Sequence, residues 1–229
     1  MAAAKAWRAD ALTGLRRGTL RPSGAKTIRQ AANALIAGMS EGLIRNRSGD
    51  AYKPSAIRSY ADALRLHVLP ELGARKLSEV QQRDVQRLAD DLLAAGRDPS
   101  TVRNALMPLR VIYRQALTDG DVGINPCTGV RLPAVRGQRQ RIVTAYEAAS
   151  LLRALTDDKD RALWALALYA GLRRGELLAL RWDDVDLAAG ILRVERAWDP
   201  RSRVFIDRRV GRAGESCRSL RLFAKPFTR

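Results

Sequence analysis

The stretch YAGLRRGELLALRWDDVDL, residues 169–187, closes one apolar helix and opens another around two arginines. Gly171 ends a helix expected over residues 161–170, and Gly175 with Glu176 opens the next. Arg173 therefore falls in a tight turn with Leu172 and Leu177 as apolar neighbours. A guanidinium held in such a turn can donate paired hydrogen bonds to two phosphate oxygens, with Glu176 orienting it from behind. The same two residues also suit an Arg–Glu pair that only ties two helices together. Physical chemistry alone leaves both readings open.

Downstream, ILRVERAW at residues 191–198 has the composition of a β-strand. Upstream, the pattern is helical. Residues 3–18 form one expected helix, with Trp7, Leu12 and Leu15 apolar. Thr27 caps a second, with Ile28, Ala32, Leu35 and Met39 on one face. A third starts near residues 54–55, with Ile57, Ala61, Leu64 and Val68 as its stripe, and ends at Pro70 and Gly73. Ser78 is the expected cap of a fourth, with Val85, Leu88 and Leu92, closed by Gly96. In the fifth, Val102, Leu106, Leu109, Tyr113 and Leu117 repeat at helical spacing, with Pro108 inside it. Thr144 caps a further helix running to Leu155, and Asp157 or Asp158 starts the next. Residues 120–141 are rich in Gly, Pro and Arg and keep no period, which suits a basic linker.

Leu- and Ala-rich helices with few aromatics predict a mainly helical protein. The 229 residues carry a formal charge of +17, with 41 basic against 24 acidic side chains. An excess of that size fits a polyanionic partner such as nucleic acid. An arginine-rich composition inherited from a GC-rich genome would also produce it. On the fifth helix Arg103, Arg110 and Arg114 share a face, and on the third Arg58 and Arg65 are seven apart. Lys53 and Ser55 precede that third helix face. Ser100, Thr101, Arg103 and Asn104 gather at a helix start, where N–H groups and hydroxyls suit a phosphate oxygen. Singly, each is equally well an N-cap or a solvated side chain.

Other chemistries lack their residues. The single histidine, His67, sits beside Val68 and Leu69 and reads as structural. GLRRGE lacks the Lys-Ser/Thr of a Walker phosphate loop. Cys127 and Cys217 make neither a metal cluster nor a disulfide framework. The expectation is no cofactor, no metal, no membrane span and a cytoplasmic setting, with double-stranded DNA as partner.

The segment ALYAGLRRGELLALRWDDVDLAAGILRVE, residues 167–195, resembles the first catalytic box of the tyrosine recombinases, the phage-integrase family. The resemblance places Arg173 on the family's first catalytic arginine and Glu176 on its acidic partner. It extends upstream: PSTVRNALMPLRVIYRQA resembles the last helix of the family's core-binding domain, and NPCTGV the linker after it. The implied fold is mainly α, a helical core-binding (SAM-like) domain followed by the N-terminal part of an α+β tyrosine-recombinase catalytic domain. The implied organisation is a remnant helix of an arm-type DNA-binding domain at 1–24, the core-binding domain at 25–119, a linker at 120–141 and a partial catalytic domain at 142–206. Residues 207–229 would be an out-of-family tail.

The family cuts and rejoins DNA through a tyrosine nucleophile, with two arginines neutralising phosphate charge. This chain departs from that pattern. Its tyrosines, Tyr52, Tyr60, Tyr113, Tyr146 and Tyr169, all precede Arg173, and no His-x-x-Arg box follows. The only later lysine is Lys225. The expectation is a fragment that binds DNA without a nucleophile of its own. A regulator that poisons an intact recombinase or self-associates on DNA, and a remnant without function, stay open beside it.

After AWDP the family continues into a hairpin often written Lys-Ser-Arg-Ala-Gly-Arg-Arg and a strand such as Val-Pro-Ile-Pro. Here the residues are DRRVGRAGESCRSLRLF, 207–223. Read out of register, their codons permit Pro-Thr-Ser-Arg-Ala-Gly-Arg-Arg-Val-Val-Pro-Ile-Pro-Ala-Ala-Val. The expectation is a frameshift near Asp207, a tail at 207–229 that is poorly packed, and the strand at 191–198 left as an exposed edge.

Overall fold

The computed structural model describes residues 2–16, 26–135, 141–207 and 218–221. It divides into two compact units, Met1–Arg136 and Gly137–Arg229.

The first unit is helical. Helix α1 (Ala2–Arg16) keeps Trp7 and Leu12 exposed. Helix α2 (Ile28–Ser40) starts at Thr27, whose hydroxyl accepts from Gln30 N at 3.2 Å, while Gln30 Oε1 takes Thr27 N at 2.9 Å. Its expected stripe of Ile28, Ala32, Leu35 and Met39 is buried. Helix α3 (Pro54–Ala63) does not end at Pro70. It widens into one π-turn at Leu64–Val68 and runs on as α4 (Leu69–Leu72) to Gly73. In a regular helix the proline ring would collide with the carbonyl four residues back. The wide turn, closed by Leu69 N to Leu64 O, absorbs that conflict.

Helix α5 (Gln82–Ala94) is capped by Gln81 rather than Ser78, which lies in a short 3₁₀ turn at Leu77–Glu79. The reason is Asp84. Its carboxylate accepts from Gln81 N at 2.8 Å and pairs with Arg75 at 2.9 Å. Those bonds hold the carboxyl below its ordinary range. Helix α6 (Pro99–Asp119) runs through Pro108 and carries Val102, Leu106, Leu109 and Tyr113 in the core, with Leu117 outside it.

Tyr113 is fully buried and donates to Leu77 O at 3.1 Å. Tyr113→Phe removes that hydrogen bond from a buried site. Urea denaturation should show a loss of about 1–2 kcal/mol from this unit.

The segment read as a basic linker is docked as far as Pro133. Cys127 is buried, and Val122, Val130 and Leu132 pack on the helical core. Gln86 brackets Arg131, donating to its O at 3.1 Å and accepting from its N at 2.8 Å. Lack of period marked irregular backbone there, but the apolar residues still find the core.

The second unit is α+β. Helices α7 (Ala145–Ala154), α8 (Asp158–Tyr169) and α9 (Arg174–Ala179) precede, among the described residues, five short strands. Thr144 and Asp157 cap the first two. The expected strand at 191–198 is two strands in two sheets, broken at Glu195. Strand β2 (Ile191–Val194) lies between β1 (Val185–Asp186) and β5 (Arg218–Arg221), both antiparallel to it. It is a central strand, contrary to the expected exposed edge. Strand β3 (Arg196–Asp199) pairs with β4 (Val204–Asp207) in a hairpin, with Trp198 opposite Phe205. Of the tail, Arg218–Arg221 is strand; residues 208–217 and 222–229 lie outside the described residues. The core here is small: Leu172, Leu192 and Val194, with Leu166, Leu177, Leu180 and Val185 against them.

Candidate nucleic-acid interface

Gly171 takes φ +64°, a left-handed turn that an L side chain rarely adopts, and so ends α8. The chain then rises to Leu172, which is buried, and presents Arg173 as the N-cap of α9. Two residues on, Gly175 allows α9 to lie on β3: a Cβ there would meet Trp198 O at 3.1 Å.

Glu176 spans the cap. One carboxylate oxygen accepts from Arg173 N at 2.9 Å, and the other meets Arg173 Nη1 at 3.3 Å. The glutamate side chain is 12% exposed and the arginine 79%. The two readings left open by the sequence are thus separated by burial. The pair is not a buried tie: its anchor is inside and its guanidinium is out, held at a helix N-terminus where the dipole favours an anion. What the turn leaves facing solvent is an oriented donor fork with most of its N–H groups unused.

A second arginine supports this turn and escaped sequence reasoning. Arg196 donates to both Asp184 oxygens, at 3.0 and 2.8 Å, and its Nε reaches Ala179 O at 3.3 Å. Asp184 also accepts from Arg181 N at 2.8 Å. One acid of the WDD triplet thereby fastens the end of α9 to β3. The only signal in the sequence was an alternating basic residue in VERAW. Arg196→Met strands a largely buried carboxylate. It should lower the stability of this unit by about 3 kcal/mol, read by hydrogen exchange of β2 and β3.

In the first unit the expected basic residues separate by surroundings. Lys53 and Ser55 are exposed at the start of α3 and Arg58 is half-buried. Arg65 is exposed, in a surface pair with Asp62 at 3.2 Å. The start of α6 is not an open phosphate cradle. The Asp98 carboxylate occupies it, accepting from Ser100 N at 2.8 Å and Ser100 Oγ at 2.6 Å. Arg103 is also engaged: its Nε and Nη2 both donate to Pro133 O, at 3.1 and 2.9 Å. It clamps the segment after the helical core. Thr101 is half-buried and Asn104 exposed beside it. Arg110 and Arg114 turn toward a cleft of their own. His67 lies half-buried in the π-turn.

Residues 139–206 match the family model described as the phage integrase family. A tyrosine recombinase XerC-like protein of Caldanaerobacter subterraneus subsp. tengcongensis is 30% identical over 151 residues, 63% of this chain and 39% of that protein. The chain belongs to the tyrosine-recombinase, or phage-integrase, family. Prophage integrase IntR of Escherichia coli K12 is 38% identical over 104 residues, 44% of this chain and 24% of that integrase. This integrase-family chain spans about two fifths or less of the length of these relatives. Its fold is similar to that of the Tn1549 transposon integrase solved with transposon right end DNA. There the TM-score is 0.64 at 18% identity, over 85% of this chain and 60% of that one. A lambda integrase dimer bound to a COC' core site gives 0.57 at 18% identity, over 79% and 48%. The mainly helical fold class read from the sequence stands with these integrases. Among the described residues no helix is long and apolar enough to cross a membrane.

Proposed function

We propose that these 229 residues are a DNA-binding portion of a tyrosine recombinase, belonging to site-specific recombination or integration, that grips duplex DNA without cutting it. The observation that carries the reading is the Arg173 turn: an exposed guanidinium, anchored through Glu176 at a helix start, in a unit of this family. Lys53, Ser55, Arg58 and Arg65, with Thr101 and Asn104, form the accompanying face of the first unit. Arg173 serves as a phosphate clamp.

The chain carries one arginine of the family's set and no tyrosine after it. Groups that act as a unit lose nearly all their chemistry when most are missing. The two integrases above were solved in complexes with DNA, which supports the choice of partner. The out-of-register reading of residues 207–223 supports a frameshift origin for the tail, and sequencing the gene on both sides of codon 207 tests it. The shifted frame should encode a His-x-x-Arg box and a later tyrosine; an early stop codon there ends the idea.

Binding itself is tested by fluorescence anisotropy on duplex DNA from 50 to 200 mM salt. Four basic contacts, from Lys53, Arg58, Arg65 and Arg173, give a slope of log affinity against log salt of about −3.6. A flat profile would remove the reading.

A further inference from the structure

The loop between α2 and α3 is built to hold up one arginine. Asn46 Oδ1 accepts from Ser48 N at 2.8 Å and Asp50 N at 3.1 Å, and Asn46 N donates to Asp50 O at 2.9 Å. Arg45 Nη1 closes the loop onto Gly49 O at 3.0 Å. Arg47 stands inside this frame, exposed. Facing it across a cleft of about 670 Å³ are Arg110 and Arg114, one turn apart on α6.

The cleft wall is aromatic. Tyr52 and Tyr60 lie with ring centroids 5.7 Å apart, tilted at 54°. Arg114 is near enough to Tyr60, and Arg110 to Cys127, to act on their ionisation. Asn125 and Thr128 complete the rim, and no carboxylate lines it. Asp119 lines a smaller cavity that continues past Arg47 and Arg114, and Asp50 lies in the loop of Arg47; each has a partner of its own. None of Arg47, Arg110 and Arg114 makes an ion pair among the described residues.

Three like charges turned into one concavity repel each other, and low-dielectric walls focus their field. An anion relieves that repulsion. Planar forks from several directions suit an anion with several oxygens better than a single carboxylate. The cleft is larger than a bare tetrahedral anion, and tyrosine rings offer a flat wall for an attached ring system. We propose that this cleft is an anion site that takes a phosphate group carried on a nucleotide. The phosphate is supplied either by a DNA backbone or by a free nucleotide. The assignment stands on the cleft's own geometry and does not require the duplex face on α3.

The full chain is titrated calorimetrically with adenosine monophosphate and with inorganic phosphate, and its duplex affinity is measured by anisotropy. The same is done for Arg47→Gln/Arg114→Gln, two exposed positions with no side-chain hydrogen bond to lose, and for Arg110→Gln. Unchanged thermal melting confirms that each variant is folded. Saturable nucleotide binding that falls at least tenfold in the variants, with duplex affinity unchanged, identifies a free nucleotide as the source. Duplex affinity that falls tenfold in the variants, with nucleotide displaced by duplex or not bound, identifies the backbone. If neither probe saturates and the variants bind duplex as the parent does, the cleft is no anion site, and the duplex reading survives. If the parent binds no duplex at all, the duplex reading fails, while the nucleotide titration still decides the cleft.

Discussion

Changing Lys53, Arg58 and Arg65 together to glutamate should lower duplex affinity by about two to three orders of magnitude near physiological salt. It should also cut the salt slope by about three. These residues sit on one helix and its π-turn, at or near the surface. The Arg65–Asp62 pair does not compete seriously with a phosphate. Both partners are more than half exposed, and such pairs contribute about 0–1 kcal/mol. Arg103 is left out of this variant because its bonds to Pro133 O hold the segment after the core, so its loss would confound binding with structure. Parent-like affinity in the triple variant would mean that the α3 face is only solvated.

The second large effect is a complete absence. Nicked suicide DNA, which traps a covalent 3′-phosphotyrosyl adduct in an active recombinase, should give none with the 229-residue chain. Arg173 can hold a phosphate, but attack needs a tyrosine hydroxyl in line with phosphorus and groups to move its proton. Tyr113 is fully buried, and burial pushes its phenol above the ordinary range. Tyr52 and Tyr60 pack ring against ring in the first unit, and desolvation raises Tyr60 as well. Tyr146 and Tyr169 are 76% and 66% exposed in the second unit, on α7 and at the end of α8. Neither has a histidine or lysine among the described residues of that unit other than Lys159, two residues into α8. Peptide mapping of a trapped adduct to any of the five tyrosines would overturn the claim.

Apolar spacing by itself determined the helices of the first unit, because a buried stripe must repeat every 3.6 residues whatever it packs against. Thr27, Thr144 and Asp157 were legible as caps for a similarly local reason: a short side-chain oxygen reaches the free N–H groups of its own helix. The Arg173 turn was also legible, since Gly171 and Gly175 punctuate it. Its meaning was not. Whether Arg173 tied helices or faced solvent depended on burial, which long-range packing sets and a sequence window cannot count.

Tertiary structure alone decided the rest. Arg75 reaches Asp84 from outside α5, so the helix begins at Gln82 and not after Ser78. Arg103 and Pro133 are thirty residues apart, and only their contact shows that this arginine is engaged. Arg47 belongs to one loop and Arg110 and Arg114 to a distant helix, so their common cleft exists only once the chain has closed on itself. Local spacing specifies which face of an element is apolar. The partner of each charge is specified by whatever the fold brings within a few ångströms of it.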